Sequence, residues 1–417
     1  MPRSRTADSS SRFARGRRLV RFVLRTAVKA FVYCLSLVVP RDENLWIFGC
    51  NGGARFAENS KYCFLHTANE HSDDVRAVWL SRRWDLVGEL RERGYEAYHI
   101  DTPRGTAVAL RAGTAFITHS LNDVGMAGAL GARVVNLWHG IPLKRVSLDD
   151  HYYLERMDVR TRCKTRFLYW FYDYTVTTAA RLSSKFASAF ATDEDRILPL
   201  GYPRNDALFA DKPGSAVGSN PTIHARLREL RAENDLVAYV PTWRETGGNP
   251  IADADLNLAA LDDFLARRDA VLVLKFHPNT EVAFDDGAFD RIIELPSELD
   301  LHATLRDVDC LVTDYSSVYF DFLLLDRPVV FFPYDRETYR RRDREFYFEY
   351  DDVTPGPVAT DGDELRSALA AALDTPGKFA AERARVRDSF FDRSDGNAGE
   401  RVYRFVRARS AAPSTDS

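Results

Sequence analysis

The chain has 417 residues, 45% hydrophobic and 28% charged, with 57 Lys+Arg against 61 Asp+Glu. That length accommodates about two to three domains with true cores, and the balance excludes a disordered chain, a collagen-like repeat and a wholly basic nucleic-acid binder. The net charge of −4 is unevenly placed: residues 1–40 hold nine Lys/Arg and one acid, so a segment of +8 precedes a globule of −12.

Within that first segment, Arg18, Arg21, Arg25 and Lys29 recur at steps of three and four, which is one face of a helix. Apolar residues such as Leu19, Val23, Leu24 and Phe31 fill most of the rest. The charge-free run Ala30–Val39 is shorter than the ~20 residues that cross a bilayer. Pro40-Arg41-Asp42-Glu43 follows it instead of a small-x-small cleavage site. Residues 1–41 therefore read as a basic amphipathic helix on an anionic membrane surface, at the cytoplasmic face of the cell membrane. A helix docked on the protein's own body is the alternative. The five cysteines, Cys34, Cys50, Cys63, Cys163 and Cys310, lack CxxC spacing, which argues against a disulfide framework or a zinc site and for a reducing setting.

From Leu45 onward β-rich runs alternate with helical stretches. Leu45–Phe48, Val75–Leu80, Tyr95–His99, Ala115–Thr118, Val134–Leu137 and Tyr174–Thr177 read as buried strands, with amphipathic helices at Ser60–Glu70, Trp84–Arg93 and Arg104–Arg111. Gly201–Pro221, rich in Gly and Pro, reads as a linker. Strands then resume at Val237–Val240, Val271–Phe276, Arg291–Leu295, Cys310–Thr313 and Val329–Phe332, with helices near Leu256–Arg267 and Ser317–Leu325. Helical segments Asp363–Leu373, Phe379–Phe390 and Ala398–Arg409 close the chain, and Ser410–Ser417 reads as frayed. This alternation predicts an α/β protein with two doubly wound units in tandem.

Ligands of open α/β sheets bind beyond the carboxyl ends of the strands, and four such ends carry unusual residues. In Trp138-His139-Gly140-Ile141-Pro142-Leu143-Lys144 a histidine leaves a strand into a tight loop, where imidazole can take a proton from an attacking hydroxyl. In Pro241-Thr242-Trp243-Arg244-Glu245, Thr242 and Arg244 suit phosphate, although a solvated Arg–Glu turn fits as well. Lys275-Phe276-His277-Pro278-Asn279 mirrors the first site, with His277 able to donate to a phosphate oxygen or protonate a leaving oxygen. Thr313-Asp314-Tyr315-Ser316-Ser317 leads from a strand into a helix start, an anion-binding arrangement that exceeds what one N-cap requires. His119 is a weaker candidate for lining the cleft. His66, His71, His99, His151, His224 and His302 read as surface or packing residues. Asn51-Gly52-Gly53 could admit a ligand but is not GxGxxG, the aromatic cluster Tyr169–Tyr174 reads as core or groove, and Arg340–Arg344 reads as a solvated face. Walker, HExxH and GxSxG motifs do not occur, which argues against P-loop, zincin and α/β-hydrolase chemistry.

Taken in order, Trp138–Lys144, Gly201-Tyr202-Pro203-Arg204-Asn205-Asp206, Pro241–Arg244, His277-Pro278 and Thr313–Ser317 resemble the CDP-glycerol glycerophosphotransferase family, which includes the teichoic acid primases and polymerases. Pro355-Gly356-Pro357 and Asp395-Gly396-Asn397-Ala398 extend the resemblance, which runs from about Leu45 to Arg401. It implies two Rossmann-like domains facing a cleft, the GT-B arrangement: an acceptor-side domain over 44–205, a CDP-polyol donor domain over 206–380, and C-terminal helices over 381–417. It also implies metal-independent transfer of a polyol phosphate from CDP-glycerol or a related CDP-polyol to a lipid-linked or glycan acceptor, with CMP leaving. His139 would then be the base, and His277 would contact the donor pyrophosphate. Thr242, Arg244, Thr313, Asp314, Ser316 and Ser317 would form the donor site, with Ser316 and Ser317 holding phosphate and Asp314 fixing their loop, while Lys144, His119 and Arg204 would lie on the acceptor side or in the cleft. Ile141 stands where the family more often has threonine. A GT-B glycosyltransferase with a nucleotide-sugar donor, or an inactive membrane-surface binding module, are the competing readings.

Overall fold

The computed structural model describes residues 26–410 except 245–246, 278–279, 281, 283–286, 298 and 343–344, together with the side chains of these residues other than 341 and 342. Arg18, Arg21, Arg25, Glu245, Pro278, Asn279, most of the Arg340–Arg344 run and residues 411–417 therefore lie outside the described side chains. Among the described residues no helix is long and apolar enough to cross a membrane.

Two parallel sheets organise the chain. The first has seven strands: β1 (Asp42–Phe48), β2 (Arg76–Ser81), β3 (Ala97–His99), β4 (Ala112–Ile117), β5 (Arg133–Asn136), β6 (Tyr174–Val176) and β7 (Ile197–Leu198), in the order β3-β2-β1-β4-β5-β6-β7. The second has five: β8 (Asp235–Val240), β9 (Ala270–Leu274), β10 (Ile292–Glu294), β11 (Cys310–Thr313) and β12 (Val329–Phe331), in the order β10-β9-β8-β11-β12. Each sheet starts at its centre, winds outward, then returns to the other side. The switch points fall between β1 and β4 and between β8 and β11, where doubly wound sheets open a crevice at their carboxyl ends.

The strands are buried on both faces, which explains why they read as unbroken apolar runs. In β1, Trp46 and Phe48 enter one core with Trp79 and Phe116, whereas Leu45 and Ile47 enter another with Val78, Leu80 and Val134. Phe48 stacks on Phe116 at 4.5 Å, and each such side chain withdrawn from water contributes about 1.5–3 kcal/mol. The core that receives Trp46 continues through Leu236, Ala238 and Leu311 of the second sheet, so the two domains share it.

Gly201–Pro221 is more than a linker. Tyr202, Pro203, Arg204, Asn205, Asp206, Ala207 and Leu208 are buried, over a 3-10 turn (Pro203–Asn205) and a short helix (Asp206–Phe209). Glycine and proline announce breaks in periodic structure but say nothing about burial. Helix Ala380–Phe390 leaves the second domain, where Arg383 pairs with Asp326, and its end meets the first, where Phe390 O accepts from Thr178 Oγ1 at 2.7 Å. Helix Ala398–Ser410 then packs on the first domain through Tyr403 against Trp46. Its start is capped from afar, with the Ala398 and Gly399 amides donating to Asp206.

Candidate active site

The carboxyl ends of both sheets open into a cleft of about 680 Å³. From the first domain it receives His119, His139 and Lys144, with Arg204 following that sheet; from the second it receives Thr242, His277, Ser316 and Ser317.

The loop after β5 is held in a conformation few sequences adopt. Trp138 has φ of 56° and Gly140 a φ of 152°. The loop is pinned by Asn59, whose side-chain amide donates to the carbonyls of Leu137 (3.1 Å) and Trp138 (2.9 Å), while Tyr202 donates to the Gly140 carbonyl at 3.0 Å. A Cβ on Gly140 would stand 2.7 Å from the Ser317 hydroxyl and 3.3 Å from the Arg204 guanidinium. Glycine is thus what lets this loop press against the opposite domain.

His139 is oriented by its backbone neighbours. Its Nδ1 lies 3.3 Å from the Thr118 carbonyl, which only accepts, so Nδ1 carries the proton and Nε2 keeps a lone pair. The ring stacks on His119 at 4.6 Å and 9°. Burial, then the neighbouring His119, lower its pKa to about 3, against the opposing pull of Glu58. Near neutrality it is an uncharged acceptor. Across the cleft His277 stacks on Trp243 at 5.7 Å. Its pKa is lowered by burial first and then by Lys275, Arg55 and Lys144, so three cations act on one ring. Lys275 Nζ donates to the Ser297 carbonyl at 2.7 Å, and Lys144 Nζ lies 5.9 Å from the Tyr339 ring centre. Such a surplus of cations suits a diphosphate.

The expected donor residues divide. Thr242, Ser316 and Ser317 line the cleft. The Thr242 hydroxyl is buried without a protein partner, and Ser317 makes no cap hydrogen bond to its short helix, Val318–Phe322. Thr313 instead spends its hydroxyl on the Val240 carbonyl at 2.6 Å, tying β11 to β8. Arg244 is buried in ion pairs with Asp314 (2.8 Å) and Asp335 (2.8 Å), and the Asp314 carboxylate also accepts from the Thr242 amide at 2.8 Å. Thr313, Arg244 and Asp314 therefore shape the two strand ends and are not among the residues that line the cleft.

Arg204 is placed differently. It lines the cleft but is ion-paired on both sides, with Glu58 and with Asp321 at 2.5 Å, and it donates to the His139 carbonyl at 2.8 Å. It is a strut between domains. The strut continues through His302, 3.1 Å from Asp321, to the fully buried pair Lys61–Asp300 at 2.8 Å. Burial pushes the Asp300 carboxyl up, but Lys61 and His302 outweigh it and hold its pKa at about 2. In Glu58, Arg204 and His302 likewise overcome burial and keep the carboxyl below its usual range.

Sequence reasoning left Arg55, Glu58, Lys275 and Asp300 unassigned and set His302 aside, yet all five belong to the cleft or its wall. Lys275 carried a signal, since it follows β9 directly and precedes His277. For Arg55 and Glu58 the faint cue was Asn51-Gly52-Gly53, whose φ angles of 48°, 62° and 81° bend the chain into the cleft rim.

A family model described as CDP-Glycerol:Poly(glycerophosphate) glycerophosphotransferase matches residues 31–408. The chain is 27% identical over 405 residues to a teichoic acid glycerol-phosphate transferase of Staphylococcus aureus, covering 92% of this chain and 98% of that protein. It is also 27% identical over 364 residues to a teichoic acid poly(glycerol phosphate) polymerase of Staphylococcus epidermidis, covering 83% of this chain but only 47% of the polymerase. In fold it is similar to the wall teichoic acid polymerase TagF, with a TM-score of 0.74 at 22% identity over 96% of this chain and 98% of that one.

Proposed function

The chain belongs to the CDP-glycerol:poly(glycerophosphate) glycerophosphotransferase family, and from that premise we propose that it moves a polyol phosphate, glycerol phosphate first, from a CDP-polyol to a hydroxyl of a lipid-linked or glycan acceptor in the synthesis of a teichoic-acid-like envelope polymer. The observation that carries this reading is one cleft holding His139 from one domain and His277 from the other, with Lys275, Arg55 and Lys144 acting on the second ring.

The acceptor oxygen attacks the phosphorus that bears the polyol. A new P–O bond forms, the bond to the bridging oxygen breaks, and CMP departs. The hydroxyl proton passes to Nε2 of His139, whose Nδ1 is committed to Thr118. That ring is a poor base in the empty cleft, but the negative charges of a bound pyrophosphate raise its affinity for a proton. Charge building on the phosphate and on CMP is met by His277, its neighbouring cations, and the hydroxyls of Thr242, Ser316 and Ser317.

The transferase sits peripherally at the membrane, where a lipid-linked acceptor is found. In the described part of the first segment, helix 26–36, Lys29, Val28 and Phe31 are exposed. A second exposed element, helix Val159–Tyr169, presents Arg160, Arg162, Lys164 and Arg166 beside Phe167 and the following Trp170, which is 76% exposed. Cations flanking exposed aromatics suit an anionic headgroup layer.

Incubation with CDP-glycerol, CDP-ribitol and UDP-sugars, with a lipid-linked acceptor, tests the reading. CMP release from a CDP-polyol, with a matching rise in acceptor mass, is expected. Release of UDP instead would replace it with sugar transfer.

A further inference from the structure

We infer that His66, His71 and Glu400 form a zinc site that fastens the C-terminal helix to the first domain, away from the reaction cleft. Among the described residues it is the one group of three or more His, Cys, Asp or Glu whose ligand atoms converge, all within 4.8 Å of one another. His66 lies near the end of helix Glu58–Glu70, His71 is the residue just past that end, and Glu400 is in the first turn of helix Ala398–Ser410. The Nε2 atoms of the two rings stand 3.0 and 2.7 Å from the same carboxylate oxygen, Oε2. Zinc bonds of about 2.0–2.2 Å in a tetrahedron separate ligand atoms by about 3.3 Å, between the 2.7 Å hydrogen-bonded contact and the 4.8 Å limit of this cluster, so side-chain adjustments on the order of 1 Å or less for most pairs admit the ion.

The surroundings are those of a built site. Arg404 donates to the other oxygen, Oε1, which orients the carboxylate and leaves Oε2 for the ion. The His71 ring is held flat against Tyr403 at 3.5 Å and 7°, and the two imidazoles meet at 66° with centres 5.3 Å apart, so they approach from different directions. A Cβ on Gly399 would come within 3.0 Å of the His66 ring, so the glycine is what allows the helix this close. The three side chains are 16–25% exposed, which leaves a path for the ion and room for a water as fourth ligand. Glu58 at the start of the same helix lines the cleft. His66 is eight residues further on, about 12 Å along the axis, which makes the site a fastening rather than part of the transfer chemistry.

The untagged full chain, stripped with chelator, is titrated with Zn²⁺ by calorimetry, and its thermal unfolding is followed with and without the ion. One Zn²⁺ per chain and a rise of several degrees in Tm are expected, together with a tetrahedral absorption spectrum when Co²⁺ replaces zinc. His71→Ala and Glu400→Gln should each weaken binding by more than about 10-fold, a loss that even outer partners of a metal produce. Glu400→Gln keeps the side chain's shape and an oxygen for hydrogen bonding, so it guards against misfolding as the cause. Absence of stoichiometric binding, or binding by both variants as tight as by the parent, would overturn the site and leave an ordinary hydrogen-bonded cluster.

Discussion

His139 shows how one residue's chemistry is set by what its neighbours already use. Thr118 fixes the tautomer, the cleft wall strips water from the ring, and Glu58 and Arg204 pull its charge in opposite directions. Its lowered pKa has a thermodynamic sign. Between about pH 3 and the usual imidazole value near 6.5, the unfolded chain binds a proton that the folded chain refuses, so stability falls as pH falls through that window. The contribution is at most about 1.4 kcal/mol per pH unit. His139→Asn should therefore flatten the loss of stability between pH 6.5 and 5, measured by urea unfolding; an unchanged slope would show the ring titrating normally. Gly140→Ala tests the loop itself. The strained φ and the approach to Ser317 cost about 1–3 kcal/mol, and a shift of His139 by about 1 Å is expected to slow CMP release about 100-fold. At this scale the sequence was partly legible. Histidines at strand ends stand out because strand periodicity stops there, and both proved to line the cleft. The partners of Arg244 and Thr313 were not legible, because a side chain's type does not reveal whether an aspartate or a carbonyl elsewhere has already claimed it.

Among the elements, a row of buried charges joins the two domains beside the apolar core they share. Lys61 and Asp300 come from opposite domains, and Arg204 reaches both Glu58 and Asp321. Breaking a buried pair on one side strands a charge at a cost of about 3–5 kcal/mol. Lys61→Met should destabilise the protein by that amount in urea unfolding; a loss below about 1 kcal/mol would mean the latch is ornamental. A backbone clasp supplements it, with the Tyr347 amide donating to the Leu143 carbonyl at 2.9 Å and the Arg145 amide to the Glu345 carbonyl at 2.8 Å. The strands were readable because parallel sheets bury both faces, and β11 matches its expected span, Cys310–Thr313. The two-residue β7 and helix Val159–Tyr169 were not, the first being too short for periodicity and the second lacking any buried face.

For the whole molecule, Lys29 is the one cation of the basic first segment, residues 1–40, among the described residues, and it is exposed. Basic and aromatic side chains project from helix 26–36 and from Val159–Tyr169, while the cleft gathers its own cations between the sheets. Deleting residues 1–40 should move the protein from anionic liposomes to the supernatant, and combining the deletion with Trp170→Glu should abolish the remainder. Sedimentation unchanged by both would refute the membrane proposal. The GT-B arrangement was foreseeable from the repeated βα alternation, but the meeting of the domains was not, since residues such as Lys61 and Asp300 are 239 positions apart in the chain. The proposed reaction rests on the two imidazoles acting together, so the decisive measurement is CMP release by His139→Ala and His277→Ala proteins under saturating CDP-glycerol and acceptor. Each is expected to fall by about 10²–10⁴ while folding stays intact; parental rates from either protein would contradict the account.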